Sequence, residues 1–215
     1  MNTSDSSPQP VNEPLALLIA APSGTGKSTI IKELCKRMPN LQFSVSCTTR
    51  SPREGERPGI DYYFLSREEF EAKIRNGEFL EYAQYVGNLY GTLRSEVEDR
   101  LQAGTDVVLD IEVQGVRQIR RYLDTLMPVE RLRWLLIFLK PPSLEELARR
   151  LRNRGTETEE SLRRRLEIAA SELRNEHLFE VSIVNDRVER AVSEIEALIE
   201  QRRKQLYELK QKDVS

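Results

Sequence analysis

Cysteine and histidine are nearly absent. The chain holds two cysteines, Cys35 and Cys47, and one histidine, His177. The cysteines lack C-x-x-C spacing and one histidine cannot complete a zinc set, so neither a disulfide framework nor a zinc cluster is indicated. All three read as packing or surface residues, and a reducing cytoplasm is the expected location. Long apolar runs are missing as well: none approaches the roughly 18 residues of a membrane span. Residues 1–13 (MNTSDSSPQPVNE) lack the basic and apolar regions of a signal peptide and read as a disordered polar tail. Nor is one sign of charge in excess. With 33 Lys+Arg against 35 Asp+Glu the net charge is −2, which offers no global basic field for nucleic acid. Any positive potential that matters is local.

What is present is an alternation of buried strands and amphipathic helices. Leu15 to Ala20 (LALLIA), Asp106 to Leu109 (DVVL) and Trp134 to Leu139 (WLLIFL) are short apolar runs bounded by turn residues, the pattern of strands covered on both faces. Helical spacing follows the first run at Ile30, Ile31, Leu34 and Met38, and recurs near the end at Val188, Val192, Ile195 and Ile199. The expected class is α/β with a parallel sheet and helices on both faces. Two stretches interrupt it. Residues 60–92 hold eight of the 14 aromatics, enough for a small mixed α+β unit with a core of its own. Residues 149–165 carry seven arginines around Gly155, with Thr156 or Thr158 placed to cap a helix whose stripe is Leu162, Leu166, Ala169 and Leu173. That reads as a hinged helical hairpin. Residues 202–215 read as a charged helical tail.

The sharpest motif is Ala21-Pro22-Ser23-Gly24-Thr25-Gly26-Lys27-Ser28, directly after a buried strand and opening a helix. It is nearly G-x-x-x-x-G-K-[ST], the loop that cradles nucleotide phosphates. Glycines let backbone N–H groups turn onto phosphate oxygens, the helix N-terminus adds its positive end, Lys27 reaches the β and γ phosphates and Ser28 offers a hydroxyl to Mg²⁺. Ser23, Gly24, Thr25, Gly26, Lys27, Ser28 and Thr29 are therefore the expected ATP-binding residues. Ala21 replaces the first glycine, which would be strained only if that position needs φ > 0. Asp110, at the carboxyl end of the second run, stands where such sheets place ligands; it could hold Mg²⁺ through water, orient the acceptor, or merely cap a helix. Glu112 would share its face if the strand continued.

Further residues separate the possible users of such a loop. Ser46-Cys47-Thr48-Thr49-Arg50-Ser51-Pro52-Arg53-Glu54-Gly55-Glu56, Gly59-Ile60-Asp61-Tyr62, Glu81-Tyr82, Tyr90-Gly91-Thr92 and Arg154-Gly155-Thr156-Glu157-Thr158-Glu159-Glu160 follow in order. From about Leu15 to Ile199 the chain resembles the guanylate kinase family. The resemblance implies a P-loop core (14–45, 93–142 and 169–201), a GMP-binding domain (46–92) and a lid (143–168). It implies that Arg50, Arg53, Tyr62 and Tyr90 hold the GMP phosphate and that Ser46, Glu81 and Thr92 meet the guanine; Asp110 stays open between the metal and GMP. Threonine at 92 replaces the family's usual serine and keeps the hydroxyl. Arg154 and Arg165 would approach the transferring phosphate, and Asn185 would lie near the donor adenine.

The expected activity is reversible phosphoryl transfer from Mg-ATP to GMP, with Lys27, Arg154 and Arg165 as the catalytic charges. ATP and GMP are the expected partners, without nucleic acid or membrane, in a monomer or homodimer. Such a transfer needs alignment and charge stabilisation, not a catalytic triad, because the acceptor is itself an anionic phosphate. Two alternatives remain at this point. A non-catalytic guanylate kinase-like binding module is disfavoured by the intact Gly24, Gly26, Lys27 and Ser28 and by the lack of appended SH3-like or PDZ-like segments. A P-loop kinase for another small phosphorylated acceptor, such as a sugar phosphate, would leave Glu81 and the aromatic segment nothing to read.

Overall fold

The computed structural model describes residues 13–153 and 158–213. Its elements are β1 (Ala16–Ala20), α1 (Lys27–Arg37), β2 (Leu41–Phe43), β3 (Cys47–Thr48), β4 (Tyr63–Phe64), α2 (Arg67–Arg75), β5 (Phe79–Tyr85), β6 (Asn88–Leu93), α3 (Arg94–Gln102), β7 (Asp106–Asp110), α4 (Val113–Leu123), α5 (Pro128–Arg131), β8 (Trp134–Lys140), α6 (Leu144–Arg152), α7 (Glu159–Leu173), β9 (Val181–Val184) and α8 (Val188–Asp213). The three apolar runs become β1, β7 and β8, neighbours in a five-stranded parallel sheet of order β2-β7-β1-β8-β9. Alternate residues of β1 serve opposite layers, which is why the whole strand is apolar. Leu17 and Ile19 pack with Ile30, Ile31 and Leu34 of α1 and with Val192 and Ile195 of α8. Ala16, Leu18 and Ala20 pack with Val97 of α3 and Val116 and Ile119 of α4. Each leucine or isoleucine buried there contributes about 1.5–3 kcal/mol.

The aromatic segment builds a second sheet of order β4-β3-β6-β5, antiparallel except for the β3–β4 pair. Its core is Cys47, Phe70, Phe79 and Leu89, with Phe70 and Phe79 stacked at 4.4 Å. Ser66 starts α2 with a capping box: its hydroxyl accepts from the Glu69 N–H at 3.1 Å while the Glu69 carboxylate accepts from the Ser66 N–H at 2.7 Å. The edge strand β5 lies against α4. There the Gln118 amide donates to the Tyr82 carbonyl at 2.7 Å and accepts from the Tyr82 N–H at 3.3 Å, satisfying backbone groups that an edge leaves open. Helices α6 and α7 pair through Leu147, Leu151, Leu162 and Ala169. Of the two threonines that could cap α7, Thr158 has the position and accepts from the Ser161 N–H at 3.2 Å.

The end of the chain departs from the sequence expectation. Residues 202–213 are no separate tail but the continuation of α8, with Leu206 fully buried in the core. Arg203 pairs with Asp106 at 2.5 Å, and the other oxygen of Asp106 accepts from the Leu15 N–H at 2.8 Å. Arg202 donates to the Leu132 carbonyl at 3.1 Å and to Glu180 at 2.5 Å. Lys210 reaches Glu13, which also binds Arg133 at 3.0 Å. Glu13 is thereby buried, and the rest of the expected N-terminal tail, residues 1–12, lies outside the described residues.

Candidate active site

The phosphate loop fills the six residues between β1 and α1, and its shape depends on two glycines. Gly24 (φ 91°) and Gly26 (φ 99°) take left-handed backbone, whereas Ala21 does not: Val86 is the only non-glycine with positive φ among the described residues. Alanine therefore causes no strain at the position where the motif has glycine. Space matters as much as dihedral. A Cβ on Gly24 would come within 2.7 Å of Leu151 and one on Gly26 within 2.8 Å of the Asn185 Nδ2. The loop is braced from behind: the Asn185 Nδ2 donates to the Thr25 carbonyl at 2.8 Å, and Arg150 of α6 donates to the Thr25 carbonyl at 3.2 Å and the Asn185 carbonyl at 3.0 Å. In front lies a cavity lined by Ser23, Gly24, Gly26, Lys27, Ser28 and Thr29. Lys27 is the first residue of α1; its ammonium donates to the Ile111 carbonyl at 3.2 Å and pairs with Asp110.

Asp110 ends β7, so Glu112 does not share its face along a continuing strand as the sequence suggested. Glu112 sits instead at the N-cap of α4, its side chain making no capping bond. Both acids nevertheless line the loop cavity, and both also line a second cavity walled by Ser46, Tyr62, Tyr85 and Tyr90 of the small sheet and its flanks. Tyr62 and Tyr90 meet edge to face at 6.1 Å, and the Arg50 guanidinium stands 5.4 Å from the Tyr62 ring centroid. Arg50 is already gripped: its two terminal nitrogens each donate to Glu56 at 2.9 Å. The Arg53 N–H donates to the same carboxylate at 2.8 Å, leaving the Arg53 side chain exposed. These contacts, from Arg50 first and Arg53 second, hold the Glu56 carboxyl below the usual range.

Glu81 and Thr92 face each other across the β5–β6 pair, the Thr92 hydroxyl donating to the carboxylate at 2.8 Å. Glu81 is 7% exposed, and burial pushes its pKa up to about 7 against the lowering effect of Thr92; the charge of Glu112 adds a smaller upward push. Neither residue lines either cavity, unlike Ser46 beside them. The other Glu81 oxygen lies over Gly115 of α4, where a Cβ would come within 2.5 Å of it.

A sequence model of the family described as Guanylate kinase matches residues 14–202. The Guanylate kinase of Synechococcus sp. (strain JA-3-3Ab) is 48% identical over 183 residues, covering 85% of this chain and 81% of that protein. That of Rubrobacter xylanophilus is 48% identical over 179 residues, 83% of this chain and 90% of that protein. Among solved structures, the guanylate kinase from Anaplasma phagocytophilum superposes with a TM-score of 0.67 at 32% identity, covering 89% of this chain and 87% of that one. The chain belongs to the guanylate kinase family.

For a guanylate kinase, the described residues bring together the loop, Asp110, Ser46, Tyr62 and Tyr90, and leave Glu81 and Thr92 covered beside them. Asn185, expected near the donor adenine, is 3% exposed and committed to the back of the loop. Arg165 is half-buried on α7, and Arg154 lies outside the described residues. Four residues around the site received no role from the sequence. Glu56 and Arg150 were hidden in charge-rich stretches where any member could be solvated; Gly115 is marked only by being a glycine in the first turn of a helix. Glu172 on α7 carried no signal. Burial pushes its pKa up to about 7, the charge of Glu112 pushes the same way, Lys27 and the Ser23 N–H pull down, and one carboxylate oxygen is buried without a hydrogen-bond partner among the described residues.

Proposed function

We propose that this guanylate kinase transfers a phosphoryl group reversibly from Mg-ATP to GMP, giving ADP and GDP, with the loop cavity holding the donor and the Tyr62–Tyr90 cavity the acceptor. The observation that carries this assignment is the shared wall: Asp110 and Glu112 line both cavities, with Lys27 paired to Asp110 between them. Two anionic substrates seated on either side present their phosphates to each other at that wall. The loop amides and the N-terminus of α1 receive the donor phosphates, Ser23 to Thr29 supplying the cradle. Lys27 leaves Asp110 for the phosphates when they arrive.

Magnesium fits the donor set. Ser28 and Asp110 offer hard oxygens at the cavity edge, and no group of three or more His, Cys, Asp or Glu able to enclose an ion occurs among the described residues. A sparse oxygen set suits an ion that keeps waters and substrate phosphates in its shell. Ser28 would hold it directly and Asp110 through water, and when bound it neutralises charge on the phosphates.

On the acceptor side Arg50, Arg53, Tyr62 and Tyr90 receive the GMP phosphate, and Ser46, Glu81 and Thr92 read the guanine. The N1–H and 2-amino group of guanine are adjacent donors that a carboxylate accepts together, whereas the unprotonated N1 of adenine would face it lone pair to lone pair. For Glu81 to meet the base, the small sheet and α4 must part enough to uncover it. Arg154 and Arg165 add positive charge when the lid closes, which also excludes water that would otherwise hydrolyse ATP. Asn185 braces the loop from the adenine side. Initial rates with GMP and AMP on the Glu81→Ala variant test the assignment: the GMP to AMP ratio in kcat/KM should collapse with little change in the KM for ATP, and an unchanged ratio would remove Glu81 from the guanine site.

A further inference from the structure

Glu96 lies outside both cavities, in the first turn of α3, and is 8% exposed. Its carboxylate collects three donors. One oxygen accepts from the Val45 N–H at 2.9 Å and from Arg100, one turn along the helix, at 2.7 Å; the other accepts from the Tyr63 hydroxyl at 2.8 Å. Val45 immediately precedes Ser46 and Tyr63 immediately follows Tyr62, and both Ser46 and Tyr62 are walls of the acceptor cavity. The two segments are also tied to each other, the Tyr63 N–H donating to the Ser46 carbonyl at 2.9 Å. Anchoring the Val45 N–H fixes the backbone that carries Ser46, and anchoring the Tyr63 side chain at the start of β4 aims its neighbour Tyr62 the other way. The location adds to this. Val45 lies in the connection from β2 of the large sheet to β3 of the small one, and α3 begins where β6 of the small sheet returns to the core. One buried carboxylate thus holds both crossings.

We propose that Glu96 is a positioning residue for the acceptor nucleotide, fixing Ser46 and Tyr62 through Val45 and Tyr63 and setting the seat of the small sheet on the core. The inference rests on the assignment of the Tyr62–Tyr90 cavity to the acceptor. Packing alone does not account for a charge here: burying a carboxylate is costly unless its donors are in place, and apolar residues often replace buried ion pairs without loss of stability. What the carboxylate supplies over an apolar side chain is directional geometry at two chain segments at once.

Two conservative changes test it. Tyr63→Phe deletes one hydroxyl, and Glu96→Leu keeps the volume of the side chain while leaving neither segment an acceptor. KM for GMP, KM for ATP, kcat and Tm are measured for both, for the double variant and for Tyr62→Ala in the cavity wall. Each of the two single variants should raise the KM for GMP about tenfold, as a displacement of well under 1 Å in a positioned site produces. The KM for ATP should stay within about twofold, and the double variant should cost less than the product of the singles because both act on one contact. A lowered Tm with unchanged KM for GMP would overturn the inference, as would parallel rises in both KM values. If Tyr62→Ala raises the KM for GMP while Tyr63→Phe and Glu96→Leu do not, the inference alone fails. If Tyr62→Ala also leaves it unchanged, the cavity assignment fails and Glu96 falls with it.

Discussion

Loss of solvent around Glu81 lifts its carboxyl from the ordinary 4.5 to about 7, so the folded protein holds a proton there that the unfolded chain has released. The folded state binds more protons between those two values, hence its stability falls as pH rises from 4.5 to 7 and stays reduced above 7. Glu81→Gln should therefore raise Tm at about pH 8 and leave it nearly unchanged at about pH 4, which thermal melts at the two pH values check. With Glu81 at the guanine, as proposed, binding runs the other way, since the base is to be met by the anion. GMP affinity of the native protein should weaken by up to about tenfold per unit below about pH 7, with a proton released on binding, read by calorimetry in buffers of different ionisation heat. In Glu81→Gln only the dependence below about pH 6, which belongs to the nucleotide phosphate, should remain. Lys27 behaves differently. Its pair with Asp110 is partly exposed and worth at most about 1 kcal/mol, so Lys27→Ala should leave Tm almost unchanged while turnover falls by at least about 10²-fold. The place of Lys27 at the loop cavity was legible in the sequence, because phosphate chemistry fixes its spacing from the glycines. Gly115, Glu172 and Glu96 were not, because what each does depends on a distance between elements far apart in the chain.

At the scale of elements, α8 shows how charge patterns mislead. Arg202, Arg203 and Lys210 look like a solvated face, but long basic stems can lie along apolar surface and deliver their heads to buried partners. Arg203→Ala would strand the Asp106 side chain, which is 2% exposed and whose carboxylate otherwise accepts only from the Leu15 N–H among the described contacts. The expected loss is about 3 kcal/mol, measured by urea denaturation, with little effect on KM for either nucleotide. The pairing partner lies 97 positions away, which no local pattern can reveal. Of the stripe read on α7, Leu162, Leu166 and Ala169 meet α6, whereas Leu173 packs instead against the core of the large sheet. Arg165 leaves that stripe half-buried, and Arg165→Ala should lower kcat by about 10³ or more while moving either KM far less, as for a group engaged only on closure. Equal kcat in the variant would make Arg165 part of a solvated charge run.

For the molecule as a whole, the parallel core was legible because strands buried on both faces announce themselves as continuous apolar runs. The small sheet was legible only as a unit. Its β3 and β4 are two residues each, too short for periodicity, and they exist because Cys47 and Thr48 pair with strands brought to them by the aromatic core. The meeting of the two cavities at Asp110 and Glu112 was foreshadowed by the acid at a strand end, but Glu112 reached that wall by a helix cap and not by a strand face. That wall is the basis for assigning donor and acceptor, and the proposed place of Glu81 at the guanine adds the expectation of selective transfer. The most direct test is an ADP-release assay with ATP and a panel of GMP, AMP, CMP and UMP. GMP should be the best acceptor, with kcat/KM above AMP by about 10⁴ or more, and ATP should be nearly untouched without an acceptor. Equal release with AMP or a pyrimidine monophosphate, or ADP release that does not depend on any acceptor, would contradict the account.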